Sequence, residues 1–197
     1  RDGSLGVVIG DVSGHGFGPA LLMASTHALL RSLANHHTQL GEILGIANSI
    51  LAEQTEADRF VTLLFGCLDV RSRSFVYANA GHPSGYVLDI SGRVKARLES
   101  TALPLAILPD AEFPTAGPIA LEPGDIVLLL TDGIPETRSS EDAPFGTERA
   151  LEIVRENRDG TAREITESLY RAVHDFSGGK KPIDDVTTVV IKMEPTA

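Results

Sequence analysis

Aspartates stand at the ends of three apolar runs, a placement that suits cation chemistry. Asp11 follows Val7-Val8-Ile9 within Gly10-Asp11-Val12-Ser13-Gly14-His15-Gly16. Asp132 follows the run 126–130 within Thr131-Asp132-Gly133-Ile134, and Asp184 and Asp185 precede Val186-Thr187 and the run 188–191. Carboxylates gathered at one end of neighbouring strands repel and rise in pKa unless a cation neutralises them. Oxygen-only ligands select Mg2+ or Mn2+ over zinc. Mg2+ keeps several waters and binds through few carboxylates, which suits a site that must supply a hydroxide. The glycines around Asp11 let the backbone approach a ligand closely. Each aspartate alone is equally an ordinary turn residue, so the cation reading requires the strands to be neighbours.

The elements that must position these residues follow from periodicity. The run 5–9 reads as a buried strand that delivers Asp11 to its end, where the glycines turn the chain. Pro19 suits a first helical turn and opens a helix over 19–33 that is apolar nearly all round, so it is expected to be covered on more than one side. Asn35-His36-His37 reads as a loop, since no third metal ligand stands at suitable spacing. Leu40, Ile43, Leu44, Ala47, Ile50 and Leu51 mark a second helix, ended by the polar stretch 53–59.

Strands follow. The run 60–70 and the return beginning at Phe75 form a hairpin across the polar turn 71–74. Asn79-Ala80-Gly81-His82-Pro83 interrupts the return with turn chemistry, and the strand resumes at Tyr86-Val87-Leu88 before another turn at 89–92. The stretch 98–113 reads as loop with one short strand. Glu122-Pro123-Gly124-Asp125 fits a tight turn leading into the strand 126–130. The polar stretch 138–145 reads as a mobile surface loop, and a short helix over 148–156 follows. Thr161-Ala162-Arg163-Glu164 is a capping box; the helix it opens carries Ile165, Leu169, Val173 and Phe176 on one face and stops at Ser177-Gly178-Gly179. The pattern implies one domain over 1–197, a layered α/β (α+β) arrangement without regular βαβ alternation.

Composition narrows the function. The chain has 197 residues and a formal charge of −10, which argues against nucleic acid as the main partner because phosphate contacts need clustered Lys and Arg. The single Cys67 allows neither an internal disulfide nor a cysteine-based zinc site, and its apolar strand-like run reads as a buried structural thiol. No membrane-length apolar run is present, so a cytoplasmic domain without direct membrane contact is expected.

Taken in order, the four stretches Gly10–Gly16, Asn79–Pro83, Thr131–Ile134 and Asp184–Thr187 resemble the SpoIIE-like (RsbU-like) branch of the metal-dependent type 2C (PPM) protein serine/threonine phosphatases. Each motif alone is weak; the four in register span nearly the whole chain. The resemblance implies two antiparallel β-sheets sandwiched between helices (αββα), two Mn2+ or Mg2+ ions, and hydrolysis of phosphoserine or phosphothreonine on a protein by metal-activated water. It implies a regulatory substrate, commonly a phosphorylated STAS-type anti-sigma-factor antagonist. Carried over by residue, Asp11 would bridge both metals and the Val12 carbonyl would be a further ligand, where many members have Gly. Asp132 and Asp184 would hold one metal. Asp185 is the weaker ligand, falling where other branches often have Asn. Gly14, His15 and Gly133 would position water or substrate.

Three departures accompany the resemblance. The family's upstream strand, with a Gly-Gly-Asp metal motif, would lie before Arg1, and Asp2 is not in that context. His15 stands four residues after the metal Asp, whereas many eukaryotic members have a general-acid His two after it; His15 orients a water or packs in the turn. His82 replaces an Asp that can hold a third metal. One side of the apolar first helix can pack on the sheet, and the other is expected to be covered by a second helix, an upstream sensor domain or a homodimer contact. The second reading is a weak or inactive phosphatase-like module that binds a signalling partner. A P-loop is unsupported because no Lys follows the glycines.

Overall fold

A computed structural model describes residues 3–55, 59–179 and 184–194. Arg1 and Asp2 lie outside the described residues, as do positions 56–58 of the expected polar stretch. In chain order the elements are β1 (Ser4–Val12), α1 (Phe17–Leu33), α2 (Leu40–Gln54), β2 (Val61–Asp69), β3 (Ser74–Ala80), β4 (Gly85–Leu88), β5 (Val94–Leu98), β6 (Ala116–Ala120), β7 (Ile126–Leu130), α3 (Thr147–Glu156), α4 (Ala162–Phe176) and β8 (Thr188–Lys192). Among the described residues, two antiparallel four-stranded sheets and four helices make up the α+β layered class expected from the sequence. The chain forms two compact units, Arg1–His82 with Glu99–Ala120, and Pro83–Leu98 with Leu121–Ala197.

The first unit holds the sheet β1-β2-β3-β6. The β1 strand runs further than its apolar residues suggest. It continues through Gly10, Asp11 and Val12, which pair with Leu63, Thr62 and Val61. Asp11 stands near the strand's end, as expected, and backbone pairing with β2 holds Gly10 in the strand despite the weak strand preference of glycine. The core gathers Val12, Leu30, Ile43, Leu44, Ala47 and Leu51 with Val61, Leu63 and Phe65. Burial of each large aliphatic there contributes roughly 1.5–3 kcal/mol.

The α2 helix meets the core along its apolar face, and α1 meets it through Leu30 with Leu22, Met23, Leu29 and Leu33 packed alongside. Among the described residues of α1 only Thr26 and Leu30 are buried, while Phe17 is 80 % and Leu21 53 % exposed. Asn48 on α2 is fully buried and ties down the loop after β5. Its amide donates to the carbonyls of Leu108 at 2.8 Å and Pro109 at 2.9 Å, and its carbonyl accepts the Ala106 N–H at 2.8 Å. Within that loop Leu105 exchanges two backbone hydrogen bonds with Val61.

The second unit holds the sheet β5-β4-β7-β8. The β3 and β4 strands thus belong to different sheets, and β4 does not resume β3 as the sequence pattern suggested. The β7 strand sits between β4 and β8, and its five residues are all buried, which its continuous apolar run anticipates. Ile126, Leu128 and Leu130 cluster with Leu151 and Val154 of α3 and with Ile165, Leu169 and Val173 of α4. The capping box is present, with Glu164 N–H donating to Thr161 Oγ1 and Thr161 N–H donating to Glu164 Oε2. The 138–145 stretch, expected to be mobile, is hydrogen-bonded to itself through Ser139 N to the Ala143 carbonyl and is anchored by buried Phe145. Among the described residues no helix is long and apolar enough to cross a membrane.

Candidate functional site

Asp132 begins the turn that ends β7, and three contacts bind that turn to the segment entering β8. Thr131 N–H donates to the Thr187 carbonyl at 3.1 Å, and Thr187 N–H donates back to Thr131 Oγ1 at 3.0 Å. Thr131 Oγ1 also donates to the Asp185 carbonyl at 2.9 Å. Gly133 completes the approach. A Cβ there would stand 2.4 Å from the Asp185 carbonyl oxygen and 3.5 Å from the Asp184 carbonyl carbon. Only a residue without a side chain lets these two backbones close, and closure brings the Asp132 turn against the Asp184-Asp185 pair.

The turn is further closed from within. Glu136 N–H donates to the Asp132 carbonyl at 2.9 Å, and Thr137 Oγ1 donates to the Gly133 carbonyl at 2.6 Å. Asp132 is half-buried, and Asp184 and Asp185 are exposed. The Asp184 carboxylate accepts the Asp185 N–H at 2.7 Å, which orients it without neutralising it. The second unit thus presents hard oxygen donors on neighbouring backbone, a donor chemistry that fits Mg2+ or Mn2+ better than a softer metal.

In the first unit, Asp11 is half-buried near the end of β1, opposite Thr62. Val12 is buried. The chain leaves the strand through a clasp in which Ser13 N–H donates to the Phe60 carbonyl and Phe60 N–H donates to Ser13 Oγ, both at 3.0 Å. Gly14 and Gly16 then take φ of 84° and 99°, left-handed values that favour glycine, and turn the backbone into α1. Gly14 and His15 are exposed. His82, expected where relatives hold a metal-binding Asp, is 3 % exposed and points inward, with Nδ1 3.0 Å from Thr62 Oγ1.

Among the described residues, no group of three or more His, Cys, Asp or Glu side chains could hold a metal ion. Asp11 belongs to the first unit; Asp132, Asp184 and Asp185 belong to the second. Sequence reasoning gave no role to Thr131, quoted only within its motif, or to Thr62, which act through hydrogen bonds and not through charge. Each is a lone hydroxyl beside an apolar strand run, and that is the signal that could have singled them out.

A family model described as Stage II sporulation protein E (SpoIIE) matches residues 1–194. The chain belongs to the SpoIIE family. This SpoIIE-family chain is 26 % identical over 217 residues to Protein IcfG of Synechocystis sp., covering 96 % of the chain and 34 % of that protein. It is 26 % identical over 192 residues to the phosphoserine phosphatase RsbU of Bacillus subtilis, covering 96 % of the chain and 56 % of RsbU. It thus spans between about a third and just over half the length of these two curated relatives. The crystal structure of the RsbU and RsbW domains of Rv1364c from Mycobacterium tuberculosis aligns with it at a TM-score of 0.81 and 26 % identity, over 100 % of this chain and 55 % of that one.

Proposed function

We propose that the protein carrying this chain is a metal-dependent serine/threonine phosphatase that hydrolyses phosphoserine or phosphothreonine on a regulatory protein. The observation that carries the reading is the closure of the Asp132 turn onto Asp184-Asp185 through Thr131 and Gly133, in a chain of the SpoIIE family. Asp11, Asp132 and Asp184 are the carboxylates that would hold Mn2+ or Mg2+, with the Val12 carbonyl and Asp185 as further oxygen donors. A divalent cation held there supplies Lewis acidity toward phosphoryl oxygens and lowers the pKa of water.

The chain's own residues orient the donors. Thr131 and Gly133 set where the Asp184 and Asp185 backbone lies, and the Asp185 N–H fixes one Asp184 oxygen. The Ser13–Phe60 clasp limits movement just beyond Asp11. Gly14, His15 and Gly133 are proposed to position water or substrate; the exposure of Gly14 and His15 supports that role. The substrate class proposed is a phosphorylated STAS-type antagonist of an anti-sigma factor, acting with an upstream sensor domain, in the cytoplasm. Cys67 is half-buried within β2, and the proposed reaction assigns it no role.

A second reading is a phosphatase-like module that binds a signalling partner without turnover. Release of phosphate from a phosphoserine peptide by the full-length protein, with Mn2+ and with chelator, separates the two. Mn2+-dependent release is expected; none at saturating Mn2+ would leave the binding module.

A further inference from the structure

The Asn79-Ala80-Gly81-His82 stretch is built to aim an imidazole inward. Asn79 is fully buried, and its side-chain carbonyl accepts the His82 N–H at 2.8 Å while its amide donates to the His82 carbonyl at 3.0 Å. Thr101 and Ala102 N–H both donate to the Asn79 carbonyl, at 2.8 and 3.1 Å, so the turn cannot swing as a unit. Gly81 takes φ of 68°, and a Cβ there would lie 2.4 Å from the Pro104 ring. This much construction for one buried histidine exceeds what a chain reversal needs.

The imidazole reaches Thr62. Nδ1 lies 3.0 Å from Thr62 Oγ1, and that hydroxyl also lies within donating distance of the Asp11 carbonyl oxygen, at 3.4 Å. Thr62 is the direct cross-strand partner of Asp11, and side chains of such partners share one face of a sheet. A hydroxyl has one proton. Directed to the Asp11 carbonyl, that proton leaves Oγ1 to accept from a His82 tautomer that carries hydrogen on Nδ1.

We infer that His82 and Thr62 form a positioning relay for Asp11, in which the imidazole orients the threonine hydroxyl and the hydroxyl holds the Asp11 backbone and the face on which its carboxylate stands. The inference rests on the proposed role of Asp11 as a cation ligand. Groups one step behind a ligand set its geometry and therefore its affinity. His82 is then not a substitute third-metal ligand but a support for Asp11.

The test uses the full-length protein with Thr62→Val, Thr62→Ser, His82→Gln and the Thr62→Val/His82→Gln pair. Mn2+ binding is read by paramagnetic resonance titration, phosphoserine-peptide hydrolysis is read separately, and circular dichroism melting confirms folding. Thr62→Val and His82→Gln are each expected to weaken Mn2+ binding about 10- to 100-fold, with Thr62→Ser restoring it to within about twofold. The double variant is expected to bind no more weakly than the worse single one, because the two residues act in series. Wild-type Mn2+ affinity in folded Thr62→Val, or losses that multiply in the double variant, would overturn the relay while wild-type protein still binds Mn2+ and turns over. Wild-type protein that does neither overturns the phosphatase reading, and the relay with it.

Discussion

Gly133→Ala tests whether the approach of two backbones in the second unit matters to function. The new Cβ would begin 2.4 Å from the Asp185 carbonyl oxygen, where ordinary contact starts near 3.4 Å, so about 1 Å of separation is required. The neighbour is backbone and cannot rotate away. Thr131 resists the separation through its bonds to the Asp185 and Thr187 carbonyls at 2.9 and 3.1 Å. Overpacking of this kind destabilises by about 1–3 kcal/mol. The functional loss is expected to be of similar size, since a 1 Å misplacement at a reacting centre can lower the rate about 100-fold, or ~2.7 kcal/mol. The assay is kcat/KM on a phosphoserine peptide across a Mn2+ titration, with a thermal melt of the same protein. A fall of about 100-fold, with a Mn2+ requirement shifted to higher concentration, is expected from the displaced ligand segment. Wild-type kcat/KM and an unchanged Mn2+ curve in folded Gly133→Ala would refute the idea that this contact sets the ligand geometry.

Further predictions concern single residues. Asp132→Asn keeps the shape of the β7 turn and removes a charge, so it should abolish turnover with little change in melting temperature; wild-type-like turnover at saturating Mn2+ would refute the assignment. Asn48→Ala leaves the Ala106 N–H and the Leu108 and Pro109 carbonyls without their partner, and unfolding in denaturant should show a loss of roughly 2–4 kcal/mol. The Asp89 carboxyl in the β4–β5 turn is held down to about 2, chiefly by the Ser91 hydroxyl and then by the backbone N–H groups of Arg93 and Ser91. Because that value lies below the ordinary 3.8, its stabilisation is complete above the ordinary value and is lost as pH falls toward about 2. Asp89→Asn should lower the melting temperature at neutral pH, with the difference from wild type vanishing as pH falls toward about 2, so that the acid limb of the profile flattens.

Local pattern determined much of this chain before any fold was known. The apolar run 126–130 can only be a buried strand, and β7 is one over those same residues. The Thr161–Glu164 capping box needs only its own four residues to satisfy backbone donors, so it could be read directly. The aspartates were legible because charge beside an apolar run stands out. Partnerships across the chain were not legible. The β1 strand extends to Val12 because Val61 and Thr62 pair with it from about fifty positions away. The β6 strand, Ala-Gly-Pro-Ile-Ala, has little strand preference of its own and exists through pairing with β3. The fully buried Asn48, and the inward turn of His82, depend on loops and strands distant in sequence. Periodicity reports which face of an element is apolar, but not whether anything covers it, and so α1 could be read as a helix while its exposed Phe17 and Leu21 could not be foreseen. Hydrogen-bond partners and burial are properties of the closed chain, because a donor has no assigned acceptor until folding brings one within reach.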